Sequence, residues 1–449
     1  MEYPGTHFTR PWRIALLSTF ITAFFIIAPI LIFYTSGYRY DFANGIIQET
    51  GAISIDILPE NAIAYLNDVK LSSKMPVRLK NIAPGKYKIK LTANGYYDWE
   101  KEIVLENKHT VYIKEIKLIK KSEPEKIIEG KISNLYISKN YNFLIYKKST
   151  KNNDEFWLRN LTTNQENLIL KTSSKQFYTV NWSPKNDYAY ISTNDLSSIY
   201  IVNAQDIEKN WYLTKEEKSK ITRLQWNNSN QTEIFYSTEN QLVTIDPTTK
   251  QKTPIGKNTF IDWYVEKGQI WTLQNNSSAE NSLKVTQDTF GFPTDFSKLN
   301  TQQNNTEINW KIVYASEKEI LLKKEGFSEM SLISEDKQYN FFGDKFLLSD
   351  YNNWQIIWTP WELTTHSDDE APFLLNRSGE QLQKVLVLDN YNTLGLIWTD
   401  KMTVLFPYYF VNHLLINNKI DDAVADSQNR ILYFSASIDG QAGIWKISY

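Results

Sequence analysis

The sequence predicts a mostly β protein: an N-terminal transmembrane helix, a small β-sandwich, then a β-propeller of about eight, alternatively seven, four-stranded blades. Three observations carry this. One uncharged apolar run lies near the N-terminus. Aromatic residues make up 14% of the 449 residues, with 27 Tyr, 22 Phe and 14 Trp, and such residues are enriched in strands. A strand–turn–strand unit recurs through the last three quarters of the chain. The length suits two to three domains, and the 42% apolar and 22% charged content is that of a globular protein.

Residues 14–34 (IALLSTFITAFFIIAPILIFY) contain no charge and only three aliphatic hydroxyl side chains, Ser18, Thr19 and Thr22. At 1.5 Å per residue they reach roughly 30 Å, the thickness of a bilayer core. Pro29 is tolerated in such a span. The run is longer than a signal-peptide core, and Phe33-Tyr34-Thr35-Ser36-Gly37 at its end is a poor cleavage site, so an uncleaved anchor is expected. Arg10 and Arg13 precede it and Arg39 comes after it, which favours a cytoplasmic N-terminus. Trp12, Tyr34, Tyr38 and Tyr40 stand where interfacial aromatics belong. Residues 1–13 then form a short cytoplasmic tail and 35–49 a juxtamembrane linker, with residues 50–449 outside the membrane.

From Gly51 the chain alternates, with Ile53, Ile55 and Ile57 on one face and Ser54 and Asp56 on the other, the pattern of a half-buried strand. Further strands are expected at 62–66, 87–92, 103–105 and 110–118, punctuated by turns at Pro59-Glu60-Asn61, Asn67-Asp68 and Pro84-Gly85. Several short strands in about 70 residues imply a sandwich over 50–120. The ordered features Pro59, Glu60, Ala62, Tyr65, Asn67, Pro76, Pro84, Gly85, Tyr87, Gly95 and Tyr96 resemble those of a PEGA domain. The glycine of that motif is replaced by Asn61, which also tolerates positive φ. The resemblance implies a surface-associated β module of the cell envelope, without chemistry of its own.

The propeller is expected over 121–449. Its unit is clearest at VNWSPKNDYAYIST (180–193) and LQWNNSNQTEIFYST (224–238). Taking Ile137, Trp182, Trp226, Trp263, Tyr314, Leu348, Leu388 and Val424 as equivalent gives eight units spaced 41 residues apart on average, matching the 40–45 residues of a four-stranded blade. The segment Trp182-Ser183-Pro184-Lys185-Asn186-Asp187, with Tyr188 and Tyr190 after it, resembles the TolB-type or WD-like repeat, although no unit carries a Trp-Asp ending. The last unit supplies only three strands before Tyr449. Residues 125–130 (EKIIEG) are therefore expected to complete it as an outer strand against 444–448, covering an edge that would otherwise stay open.

Composition narrows function. A net charge of −2 lacks the basic excess of a nucleic-acid binder. The absence of cysteine removes disulfide frameworks, thiolate zinc sites and cysteine nucleophiles. Four histidines, His7, His109, His366 and His413, argue against a histidine-built metal centre. There is no G-x-S-x-G motif and no phosphate-cradling glycine loop. The acidic run Ser367-Asp368-Asp369-Glu370 comes after Trp354, Trp358 and Trp361, the residue types of a calcium or sugar site, but it lacks a dedicated ligand pattern. Residues 51–121 hold 13 Lys/Arg against 8 Asp/Glu, and residues 341–449 hold 7 against 13. A basic membrane-proximal module could rest against anionic lipid or wall polymer.

No catalytic, cofactor-binding or metal-binding residue is assigned, and no cofactor is expected. The expected role is an envelope-anchored, non-catalytic scaffold. Its propeller would meet a protein or cell-surface glycan partner outside the membrane. The alternatives are a glycosidase or lyase with paired carboxylates in the propeller channel and a structural surface-layer component.

Overall fold

The computed structural model describes residues 9–449 except 42–44, 72–73, 151, 174–175, 186, 228–231, 258–259, 267, 276–281, 289–298, 301–309, 317–318, 335–336, 350, 352–353 and 368–369. The chain divides into two compact units, Met1–Lys121 and Ser122–Tyr449.

In the first unit, helix α1 (Arg10–Thr35) runs 26 residues with Pro29 inside it and no residue buried. It extends beyond the apolar run at both ends. At 1.5 Å rise it is about 39 Å long, enough to cross the hydrocarbon and enter both headgroup layers. Two of its hydroxyls are satisfied within the helix: Thr19 Oγ1 donates to the Ala15 carbonyl (2.9 Å) and Thr35 Oγ1 to that of Leu31 (2.9 Å). At the C-terminal end Arg39 Nη1 donates to the Tyr34 carbonyl (2.6 Å), and the guanidinium lies 3.7 Å from the Tyr34 ring centroid.

The segment expected to be a linker contains a hairpin, β1 (Tyr38–Asp41) paired with β2 (Ile46–Glu49). The hairpin is tied to the start of the sandwich. Thr50 donates to the Gly37 carbonyl through both N (3.0 Å) and Oγ1 (2.8 Å), and Lys108 Nζ lies 2.7 Å from Glu49.

The sandwich comprises β3 (Gly51–Leu58), β4 (Ile63–Leu66), β5 (Val69–Lys70), β6 (Val77–Ile82), β7 (Gly85–Thr92), β8 (Trp99–Leu105) and β9 (Thr110–Lys117), in two sheets ordered β6-β3-β9 and β5-β4-β7-β8. Ile53, Ile55 and Ile57 are buried, as the alternation requires, together with Val77, Ile89, Leu91, Trp99 and Leu105. Gly51 has no room for a side chain, because a Cβ there would lie 2.8 Å from the His109 carbonyl oxygen. Asn67 (φ 49°) and Asp68 (φ 64°) form the two-residue turn joining the Leu66–Val69 pair, the backbone that a right-twisted hairpin prefers.

The expectation for Asn61 is corrected. It is not among the positive-φ residues, and the turn closes instead through the Ala62 amide to the Pro59 carbonyl (2.9 Å). This turn therefore makes no left-handed demand that glycine would have to meet.

The second unit holds eight four-stranded antiparallel sheets among the described residues, each a blade of the propeller. Blades I–VII span 132–173, 178–212, 221–257, 262–300, 310–342, 345–377 and 382–416. Blade VIII combines 420–448 with β10 (Glu125–Glu129). Of the eight residues taken as equivalent, seven lie in the first strand of successive blades, and Leu388 lies one residue past its own. First strands of neighbouring blades pack together, as Asp262–Glu266 does with Trp310–Ala315, so they line the axis.

Apolar layers fill the spaces between blades. Phe156, Val180 and Ile191 lie between blades I and II, and Ile132, Tyr146, Tyr433 and Ile444 between I and VIII. β10 pairs with the last strand, Gln441–Ser448, matching Lys126 to Trp445 and Ile128 to Ile444. The expected ring closure is present, against the expected strand.

Candidate functional site

The axis of the propeller has two mouths, and they differ chemically. Where the first strands end, hydroxyls tie blades together. Tyr141 (blade I) and Tyr351 (blade VI) both reach Ser427 of blade VIII, at 2.7 and 3.0 Å. The Tyr449 hydroxyl donates to the Leu388 carbonyl (2.6 Å). This mouth is bridged.

Where the first strands begin, carboxylates hold three blades at a time. Asp422 of blade VIII accepts from Lys384 Nζ of blade VII (2.7 Å) and from the Leu135 amide of blade I (2.8 Å). Asp262 of blade IV accepts from Arg223 of blade III and from the Ile312 amide of blade V (2.7 Å). Arg223 also donates to the Ile312 carbonyl (3.0 Å). The two sites are built alike, with a cation from the preceding blade and a backbone N–H from the next one round the ring.

Beside Asp422 lies an open depression of about 280 Å³ lined by Asn134, Tyr136, Gln383, Lys384, Asp421 and Asp422. Burial, with the Asp422 charge nearby, pushes the Tyr136 phenol up to about 12, so it stays neutral and able to donate. Asp421 is exposed. A depression with one exposed carboxylate, amides and a neutral phenol suits hydrogen-bonded recognition. A glycosidase needs two carboxylates free to exchange protons and attack, whereas Asp262 and Asp422 are both engaged in holding the ring.

Sequence reading did not find these residues. Their signal is the offset within each repeat. Arg223 and Lys384 both stand third in their first strands, Ile221–Trp226 and Leu382–Val387. Aligning the repeats on their aromatic positions hides this, because the aromatic sits at the other end of the strand.

The features singled out in the sequence resolve differently. Trp354 and Trp358 are buried in blade VI, and of the three only Trp361 is exposed, so these three tryptophans do not form a shared platform for a sugar. Asp368 and Asp369 lie outside the described residues. Trp182 and Trp226 act as ties between blades, donating to the Tyr136 and Asn181 carbonyls at 3.0 Å each. His366 is buried between blades V and VI, with Nε2 2.7 Å from Glu319 Oε1, while Gln355 donates to the other carboxylate oxygen. The lysines of β7 are matched across to β8 and the β4–β5 turn: Lys86 with Glu102, Lys88 with Glu100 and Asp68, Lys90 with Asp98 and Glu100. These three lysines are neutralised by four acids, so the positive balance of this module lies elsewhere in it.

Residues 50–120 match the family model for the PEGA domain. No curated protein matches the sequence. Solved structures that the fold is similar to include the β-propeller domain of Cps50 (Swd1) from Myceliophteria thermophila, at 10% identity over 72% of this chain and 98% of that one, with a TM-score of 0.45. Another is the Dos1 propeller, at 8% identity over 73% and 95%, with a TM-score of 0.46. The eight blades and their strand register, rather than these neighbours, carry the propeller assignment.

Proposed function

We propose that this protein is an envelope-anchored, non-catalytic scaffold. Helix α1 holds it in the membrane, and the propeller offers its carboxylate-tied mouth to a protein partner. The observation that supports this reading is the commitment of the axial charges. Asp262 and Asp422 fix the ring, while Asp421, Gln383 and Asn134 remain at an open depression on a rigid frame. Rigid walls lower the entropic cost of binding.

The test is capture from envelope extract with the full-length detergent-solubilised chain and two variants, Asp421→Lys and Gln383→Ala. A stoichiometric partner held by the native chain and lost from both variants is the expected result. Retention by both variants would move the binding surface elsewhere. A glycan partner has a narrower foothold in the groove of about 320 Å³ between blades I and II, where Asn160, Gln165, Asn167 and Gln205 surround Phe143 and Leu158.

The proposed topology places the N-terminus in the cytoplasm, α1 across the membrane uncleaved, and both β units outside, on the strength of Arg10 and Arg13 against Arg39. External protease on intact spheroplasts should remove the propeller and leave a fragment of a few kilodaltons. A chain protected at full length, digested only after the membrane is opened, would reverse the orientation.

A further inference from the structure

The two outer faces of the sandwich carry their charges differently. On β7 and β8 alternate residues join a cross-strand ion-pair ladder. On the three-stranded sheet the central strand β3 presents the small residues Ala52 and Ser54, with Asp56 beyond them. Register places Lys80 opposite Ala52, Arg78 opposite Ser54, and Tyr112 against Ser54 on the other side. Tyr112 is 63% exposed, and Arg78 and Lys80 are exposed. Among the described residues neither Arg78 nor Lys80 makes an ion pair. The result is a shallow trough with a floor of small side chains, two unneutralised cations on one wall and an amphipathic ring on the other.

Its position is set by the chain. Thr50 is bonded to Gly37, two residues past the end of α1, and β3 begins at Gly51. Lys80 pairs one residue into that strand and Arg78 three residues in. At about 3.3 Å per residue these cations stand within roughly 3–10 Å of the strand's membrane end, inside a Debye length of about 8 Å or close to it. Cations this close to an anionic leaflet are attracted to it, and an exposed tyrosine suits the interfacial layer. Charges on the edge strand β6 also discourage edge pairing. That role does not require the trough or the exposed tyrosine across it.

We propose that this face, Arg78, Lys80 and Tyr112 over Ala52 and Ser54, is a second membrane contact that docks onto anionic phospholipid headgroups. The inference rests on α1 spanning the bilayer, so the test reads the span separately. The chain contains no cysteine, and a single Ser54→Cys substitution therefore gives a unique fluorophore site in the trough. Val104→Cys, on the outer face of the other sheet, serves as the control.

Full-length labelled chains are reconstituted into nanodiscs of phosphatidylcholine alone or mixed with phosphatidylglycerol, each carrying headgroup-quencher lipid. Co-elution of chain and disc reports the span. The expected result is about threefold stronger quenching at position 54 in anionic discs, little lipid dependence at 104, and return to the neutral level in 0.5 M salt or with Arg78→Gln/Lys80→Gln. Equal quenching at 54 in both lipids would overturn the proposal, as would the same response at 104. A change at 54 produced only by added soluble polyphosphate would overturn it too, marking a polymer site rather than a bilayer contact.

Discussion

Removing residues 122–130 should destabilise the entire propeller rather than blade VIII alone. β10 is the outer strand of the closing blade, and it contributes Ile128, buried against Ile132, Tyr433 and Ile444. Its ends are fixed by Lys446–Glu125 (3.0 Å), by Lys126 Nζ donating to Gln441 (2.7 Å) and by the Gly130 amide donating to the Ala442 carbonyl (3.0 Å). Fully burying one isoleucine is worth about 1.5–3 kcal/mol. Losing the strand also exposes the Ile444 side and leaves an open sheet edge, so a loss of several kcal/mol is expected. Because closure binds both ends of the array, the apolar layer that blade I shares with blade VIII is opened as well.

Thermal unfolding of 122–449 against 131–449 should show a single, lower transition or aggregation in the shorter fragment. A point substitution makes the same case without deletion. Gly443 pairs with Glu129 where a Cβ would run into the Ile128 carbonyl oxygen. Gly443→Val must therefore push β10 away and should reproduce the deletion's effect. Equal melting temperatures for native, deleted and Gly443→Val proteins, all monomeric, would show that this strand does not hold the ring shut.

That closure could be read from the sequence because it depends on counting: three strands in the last unit and an orphan apolar pair, Ile127-Ile128, before the first. The period of the repeats was legible for the same reason. Trp182, Trp226 and Trp263 recur in successive first strands, and the structure uses them as indole donors or core residues. The helix and the sandwich were legible from hydropathy and alternation. The hairpin at 38–49 was missed because four-residue strands barely show a period.

The axial carboxylates were not legible for a different reason. Asp262 and Asp422 resemble any other exposed-looking aspartate in sequence. Their role depends on three blades meeting at the axis, which no single repeat reveals. The unpaired cations of β6 were hidden likewise, since a charge balance cannot say which lysines face acids across a strand and which do not.

Asp262→Ala should be the most damaging single substitution among the described axial residues. Asp262 is 7% exposed and satisfies two groups from two other blades, the Arg223 guanidinium and the Ile312 amide. Removing its carboxylate strands a cation whose side chain is only 23% exposed, and breaking such a pair costs about 3–5 kcal/mol when fully buried. The residual exposure of Arg223 places the expectation near the lower end, about 3 kcal/mol. The amide left without an acceptor adds to the cost.

Asp262→Asn keeps an acceptor for Ile312 but leaves Arg223 without a counter-charge, so it should fall between native and alanine. Arg223→Ala added to Asp262→Ala should cost less than the sum of the two, because the stranded cation is gone. The equivalent site at Asp422 supplies the comparison. Lys384 there is 35% exposed, solvent screens the pair, and Asp422→Ala should cost about half as much. Thermal melts of native, Asp262→Ala, Asp262→Asn, Arg223→Ala, the double variant and Asp422→Ala test the ordering, with Asp262→Ala the lowest single variant and the double variant above the additive value. Asp422→Ala melting below Asp262→Ala would mean that burial does not set the strength of these ties, and the open mouth would then depend more on blades VII, VIII and I than on III, IV and V.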